Sequence, residues 1–206
     1  MRLAIMRHGQ IPANAAHAYA GALDEPLTAA GRAEAQAAGV LPDVGLVYVS
    51  PLIRARQTAS ICFPNAEQVI VEGLREMDFG AFEGRSADDM ADDAAYRAWV
   101  ESGCTTRCPG GEDRAQFTER VAHAVEWVCR DAQARGLSWA LVVGHGGTLM
   151  AAFASFASDS PERDYFSWRA PNCGGYHARV SFEGETLRLA DCMAFERLSF
   201  LVEDAS

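Results

Sequence analysis

Two histidines and two arginines stand directly behind strand-like segments of this sequence. Arg7-His8-Gly9 follows the apolar run Leu3-Ala4-Ile5-Met6. Ser50-Pro51 follows Leu46-Val47-Tyr48-Val49, with Arg54 in the first turn of the next helix, and Gly144-His145-Gly146-Gly147 follows the strongly apolar segment from Trp139 to Val143. Ligands of open parallel sheets bind beyond the carboxyl ends of the strands, so all four side chains are expected at one edge. Taken singly, a histidine behind a strand is more often structural, and a lone helical arginine is usually solvated. Their joint placement points to phosphoryl chemistry. Two guanidiniums can bracket a phosphoryl group with bidentate bonds. Their charge disfavours protonation of a neighbouring imidazole, and a neutral imidazole is what attack on phosphorus requires. The second histidine can donate to a phosphoryl oxygen where charge accumulates. Glycines around His145 allow close approach to the backbone and leave helix N-terminal N–H groups for an anion. The leaving alcohol needs a proton from a carboxylic acid of raised pKa. Glu76, Asp78 and Glu83 are the nearby candidates. Glu76 and Asp78 share a face if that segment is extended, so spacing does not choose between them.

Composition narrows the partners. The 206 residues carry 28 acidic and 18 basic side chains, a net charge of −10, which disfavours nucleic acid and anionic membrane surfaces. Every basic residue is arginine. The absence of lysine removes Schiff-base chemistry and the P-loop lysine, so any anion must be held by arginine, histidine or backbone N–H groups. No apolar run approaches the ~20 residues that cross a bilayer, and no leader pattern is evident, so a cytoplasmic location is expected. The six cysteines are scattered and read as free thiols. Cys104 and Cys108 form a lone C-x3-C without a second ligand pair, so no metal is expected, and a surface turn with two thiols is the reading.

The elements that must position these groups alternate. Strands are expected near 3–6, 46–49, 69–71 and 139–143, with two more near 176–180 and 186–191. Helices are expected from a Thr28 cap to Ala38, from Pro51 to about Phe63, from Ser86 to about Ser102, from Arg114 to Ala134 and from Gly147 to Phe156. Phe117, Val121, Val125 and Val128 recur at helical spacing. Gln10 to Pro26 reads as polar and irregular. Alternating strands and helices predict an α/β fold of three α/β/α layers around a mostly parallel sheet, with a helical insertion at about 85–111. No linker or repeat divides the chain, so residues 1–206 read as one domain.

These residues resemble a known family. Met6-Arg7-His8-Gly9 is similar to the RHG signature of the histidine phosphatase, or phosphoglycerate-mutase-like, superfamily. Asn14 stands at that family's phosphate-contacting asparagine position. Gly21, Asp24, Pro26-Leu27-Thr28 and Gly31 resemble its G-x-x-D-x-P-L-T-x-x-G segment, and Ser50 to Ala59 its S-P-L-x-R-A-x-Q-T-A block. Leu74 to Gly84, Pro109-Gly110-Gly111-Glu112 and Val142 to Gly147 complete six blocks in the family's order, reaching to about residue 150. The resemblance implies a covalent phosphohistidine on His8, a phosphate pocket of Arg7, Asn14, Arg54 and His145, and Glu76 as proton donor and then base. It implies neither metal nor organic cofactor. Asp24 and Glu83 read as loop-ordering groups. His17 is a candidate for the pocket mouth, His123 within the long helix reads as a surface residue, and no functional role is read for His177. Ile11, Asp113 and Gly144 depart from the pattern at positions where the family commonly carries a hydroxyl.

The resemblance implies an enzyme acting on a small phosphomonoester. The cofactor-dependent mutase branch carries an Arg-rich insertion before the long helix; here Arg85 to Gly111 is short, rich in Asp and without an adjacent arginine pair, which favours hydrolysis. A mutase-type phosphotransferase is the alternative. A non-catalytic phospho-ligand-binding member would have lost one of His8, Arg7, Arg54 or His145, and all four are present. A dinuclear metal hydrolase would need clustered ligands that the arginines would oppose. Leu74 to Gly80 with Asn172-Cys173-Gly174-Gly175 resembles the α-ribazole phosphatase branch. Monomer and homodimer both remain open.

Overall fold

A computed structural model describes residues 1–158 and 163–203. Six strands form one sheet: β1 (Arg2–Arg7), β2 (Leu46–Val49), β3 (Glu67–Ile70), β4 (Trp139–Gly144), β5 (Gly175–Glu183) and β6 (Thr186–Phe195). Their order is β3-β2-β4-β1-β5-β6. The first four are parallel because each is followed by a helix that carries the chain back across a face of the sheet. β5 and β6 are joined by the two residues Gly184-Glu185, with Gly184 at φ 62°, and so pair antiparallel. β5 also runs antiparallel to β1. The expected α/β architecture with a mostly parallel sheet is therefore present.

The helices are α1 (Pro12–Ala15), α2 (Ala29–Ala38), α3 (Ile53–Cys62), α4 (Ala94–Glu101), α5 (Arg114–Ala134), α6 (Gly146–Phe156) and α7 (Phe200–Glu203). On one face of the sheet, Phe117, Val121, Val125 and Val128 of α5 are fully buried, as their spacing predicts, and pack with Leu149 and Phe153 of α6. Burial of each such side chain is worth roughly 1.5–3 kcal/mol. On the other face, α2 and α3 present small residues, Ala35, Ala38, Ala55 and Ala59, which let the helices lie close against Val47, Val49 and Val143. The central strands are thus covered on both sides, and their carboxyl ends remain as the accessible edge.

Two expectations change. The helix expected from Ser86 is one turn of residues around a Ser86–Asp89 pairing, in which the Ser86 amide donates to Asp89 Oδ2 at 2.9 Å. The helix itself begins at Ala94, because Asp93 caps it by accepting from the Ala95 and Tyr96 amides. The polar stretch after β1 contains the short α1. Asp113, one of the departures from the family pattern, caps α5 in a reciprocal box with Gln116. Ile11, another, is fully buried and packs with Ala13 and Leu27.

Candidate active site

The carboxyl ends of β1, β2 and β4 bring Arg7, His8, Ser50, Arg54 and His145 together. His8 and His145 meet edge to face, ring centroids 5.2 Å apart. His8 Nδ1 lies 2.7 Å from the Gly9 carbonyl oxygen. A carbonyl only accepts, so Nδ1 carries the proton and Nε2 keeps its lone pair. Burial pushes the His8 pKa well below its ordinary value, and the Arg54 and Arg7 charges push the same way against the Gly9 carbonyl. Both influences favour the uncharged ring. Its loop is fixed from behind: the Gly9 amide donates to Thr58 Oγ1 at 3.0 Å, and Asn172 Nδ2 donates to the His8 carbonyl at 2.8 Å. Gly9 is required there, because a side chain would overlap the Gly31 backbone.

A cavity of about 750 Å³ opens beside His8, lined at its floor by Arg7, Asn14, Glu76, Gly146 and Gly147. Arg7 Nη1 donates to the Ala170 carbonyl at 3.0 Å, while its buried Nε has no partner among the described residues. That orphaned donor beside the N-terminus of α6 is suited to an anion. Asn14 Oδ1 accepts from the Ile11 amide and from Asn172 Nδ2, both at 3.3 Å, which turns its amide nitrogen away from those partners.

Arg54 and His145 sit differently from the sequence expectation. Neither lines the cavity; both lie fully buried behind His8. Arg54 Nε donates to His145 Nδ1 at 3.2 Å, Nη2 donates to the Gly21 and Ala20 carbonyls at 2.8 and 3.3 Å, and Nη1 donates to the Leu23 carbonyl. A buried guanidinium must place its donors on nearby acceptors, and the loop carbonyls of residues 20–23 supply them. Because His145 Nδ1 accepts, its Nε2–H is the donor to Ser50 Oγ at 2.7 Å. Both ring nitrogens are thus engaged by protein groups. Burial, with Arg54 and His8 adding to it, holds the His145 pKa well below its ordinary value. Ser50, directly behind β2, is thereby part of the buried His145 and Arg54 network.

The three acidic candidates separate clearly. Glu76 points into the cavity, with Oε1 accepting from its neighbour's amide at Met77 and Oε2 from the Gly147 amide, both at 2.9 Å. Burial raises its pKa, outweighing those two donors and the Arg54 and Arg7 charges. Asp78 turns back to the Gly80 amide at 2.8 Å. Glu83 gathers the amides of Gly21, Ala22, Leu23 and Phe79, and Asp24 accepts from the Ile53 amide, so both order the loops that supply carbonyls to Arg54. His17 is exposed and is not among the cavity-lining residues, contrary to expectation. His123 is exposed on α5, and His177 is buried in β5 against Phe200.

Cys108 is fully buried and Cys104 lines the cavity, so this is no surface turn; all six cysteines are free. Among the described residues no cluster of three or more His, Cys, Asp or Glu could hold a metal ion, and no helix is long and apolar enough to cross a membrane. The upper walls, Tyr19, Phe79, Trp99, Tyr165 and Phe166, come from distant segments with no common sequence signal.

A side chain on Gly147 would overlap the Glu76 carboxylate and crowd the Phe117 ring. Gly147→Ala should therefore displace that carboxylate, and the overpacking should cost about 1–3 kcal/mol of stability. Thermal melts check this; an unchanged melting temperature would mean that the neighbouring groups yield freely.

The chain is similar to phosphoryl-transfer enzymes throughout. A family profile described as "Histidine phosphatase superfamily (branch 1)" matches residues 3–192. The adenosylcobalamin/alpha-ribazole phosphatase of Salmonella typhimurium is 33% identical over 156 residues, covering 72% of this chain and 76% of that protein. The structure of the alpha-ribazole phosphatase from Shigella flexneri superposes with a TM-score of 0.73 at 28% identity, covering 92% of this chain and 94% of that one. The phosphoglycerate mutase of Thermus thermophilus superposes with a TM-score of 0.65 at 28% identity, covering 95% of this chain and 99% of that one. The chain belongs to the histidine phosphatase superfamily.

Proposed function

We propose that this enzyme hydrolyses a small phosphomonoester through a phosphohistidine at His8, with α-ribazole 5′-phosphate among the substrates its relatives suggest. The observation that carries the reading is the pairing of an uncharged, rigidly held His8 with a half-buried Glu76 of raised pKa across one cavity floor. Phosphate oxygens would meet Arg7, whose Nε is unpartnered, together with the Asn14 amide and the N-terminus of α6. Arg54 would act through its charge from behind the ring, and His145 would hold Arg54 in place. His8 Nε2 attacks phosphorus as Glu76 protonates the departing oxygen. The Glu76 carboxylate then takes a proton from water, which attacks the phosphohistidine and releases phosphate and free His8.

The test is phosphate release from α-ribazole 5′-phosphate and from a chromogenic aryl phosphate, with chelator present. Both are expected to be hydrolysed at undiminished rate. Loss of activity with chelator would contradict the histidine mechanism. Positional transfer on phosphoglyceric acid, with little phosphate released, would make the enzyme a mutase.

A further inference from the structure

The exposed end of the same cavity carries charge that the hydrolytic chemistry does not use. Arg114 and Arg169 line it, together with Tyr165 and Phe166. The Arg114 guanidinium carbon lies 5.1 Å from the Tyr165 ring centroid and 5.7 Å from that of Phe166; Arg169 lies 5.1 Å from Phe166. Both guanidiniums are close enough to Cys104 to oppose the rise that burial imposes on its thiol, so they surround one stretch of wall.

Among the described residues neither arginine has a carboxylate within 4 Å, although Asp164 is near enough to Arg169 to feel its charge. Many of the other arginines have a carboxylate within 4 Å, as Arg85 has Asp93 and Arg120 has Glu112, but Arg114 and Arg169 have none there. The Arg114 guanidinium donates one hydrogen bond, Nη1 to the Gly103 carbonyl at 3.2 Å, and that of Arg169 donates none among the described residues. Arg114 is also the first residue of α5, where the helix dipole disfavours a cation. Helix stability therefore does not account for its presence. Among the described residues the only acidic side chain lining the cavity is Glu76, which burial biases towards its neutral form.

We propose that Arg114 and Arg169 form a second anion subsite, so that the preferred substrates are phosphomonoesters whose leaving group has a ring-sized apolar body and a carboxylate or second phosphate at its far end. This rests on the phosphatase reading above and refines it. The aromatic walls take the body, and the two guanidinium forks take the distal anion. A neutral ring alcohol such as α-ribazole uses the walls and leaves the pair idle.

The test compares benzyl phosphate with 4-carboxybenzyl phosphate. For the native enzyme the carboxylated ester should have kcat/KM about five- to tenfold higher, the scale of charge-assisted pairs that stay partly solvated. In the Arg114→Gln/Arg169→Gln double variant that ratio should fall to near one, while Arg114→Lys/Arg169→Lys should keep much of it. A ratio near one in the native enzyme, or one that survives in the glutamine variant, would overturn the subsite. If neither ester is hydrolysed, the phosphatase reading fails. The subsite is then decided by calorimetric affinities of the two corresponding phosphonates, with the same ratio expected and the same absence of preference overturning it.

Discussion

His8→Ala should abolish turnover of every phosphomonoester, with kcat falling on the order of 10⁴-fold or more, as removal of a covalent nucleophile does elsewhere. The effect should not depend on the leaving group, because the missing bond is the first one formed. The fold should survive. His8 is held by its own Gly9 carbonyl and by Asn172, and the Gly9–Thr58 contact that fixes the loop does not use the imidazole. Steady-state assay of the purified variant beside its thermal melt checks both parts. Retained activity with an intact fold would remove His8 from the chemistry.

Glu76→Gln should slow alkyl phosphates by roughly 10²- to 10⁴-fold, the usual contribution of a positioned general acid, and slow aryl phosphates with good leaving groups much less. The pH dependence follows from the two shifts. His8 is held well below its ordinary pKa, so it stays neutral and reactive into acid solution. Burial raises the Glu76 pKa, so its protonated form persists to higher pH than that of a free carboxyl. For alkyl esters kcat/KM should fall as pH rises through the raised Glu76 pKa. Glutamine cannot ionise, so the variant should lack that alkaline limb. Equal slowing of aryl and alkyl esters, with the limb intact, would assign the proton to another group.

The edge of the sheet was readable because apolar runs and the residues after them obey local rules. Leu3–Met6 and Trp139–Val143 are apolar enough to be central strands, and whatever follows such a strand must stand at its carboxyl end. The α5 stripe was readable for the same reason. The start of α4 was not, since Ser86 and Asp93 carry equally good capping chemistry and only packing of Tyr96 and Trp99 selects the second. Pairing pattern cannot say which carboxylate faces inward either. Glu76 and Asp78 are equivalent by spacing, and the difference lies in the Gly147 and Gly80 amides that each accepts from. The role of Arg54 was hidden because its partners are loop carbonyls, which any sequence would supply. The cavity walls were hidden because Tyr19, Trp99, Tyr165 and Arg169 meet only after folding.

The central claim is a transient bond between phosphorus and His8 Nε2. Rapid mixing of the enzyme with ³²P-labelled substrate, quenched in alkali within the first turnover, reads it directly. The account predicts an acid-labile, alkali-stable label that maps to the peptide containing His8 and disappears with water as phosphate is released. A first turnover that releases phosphate while no label ever appears on that peptide would contradict it.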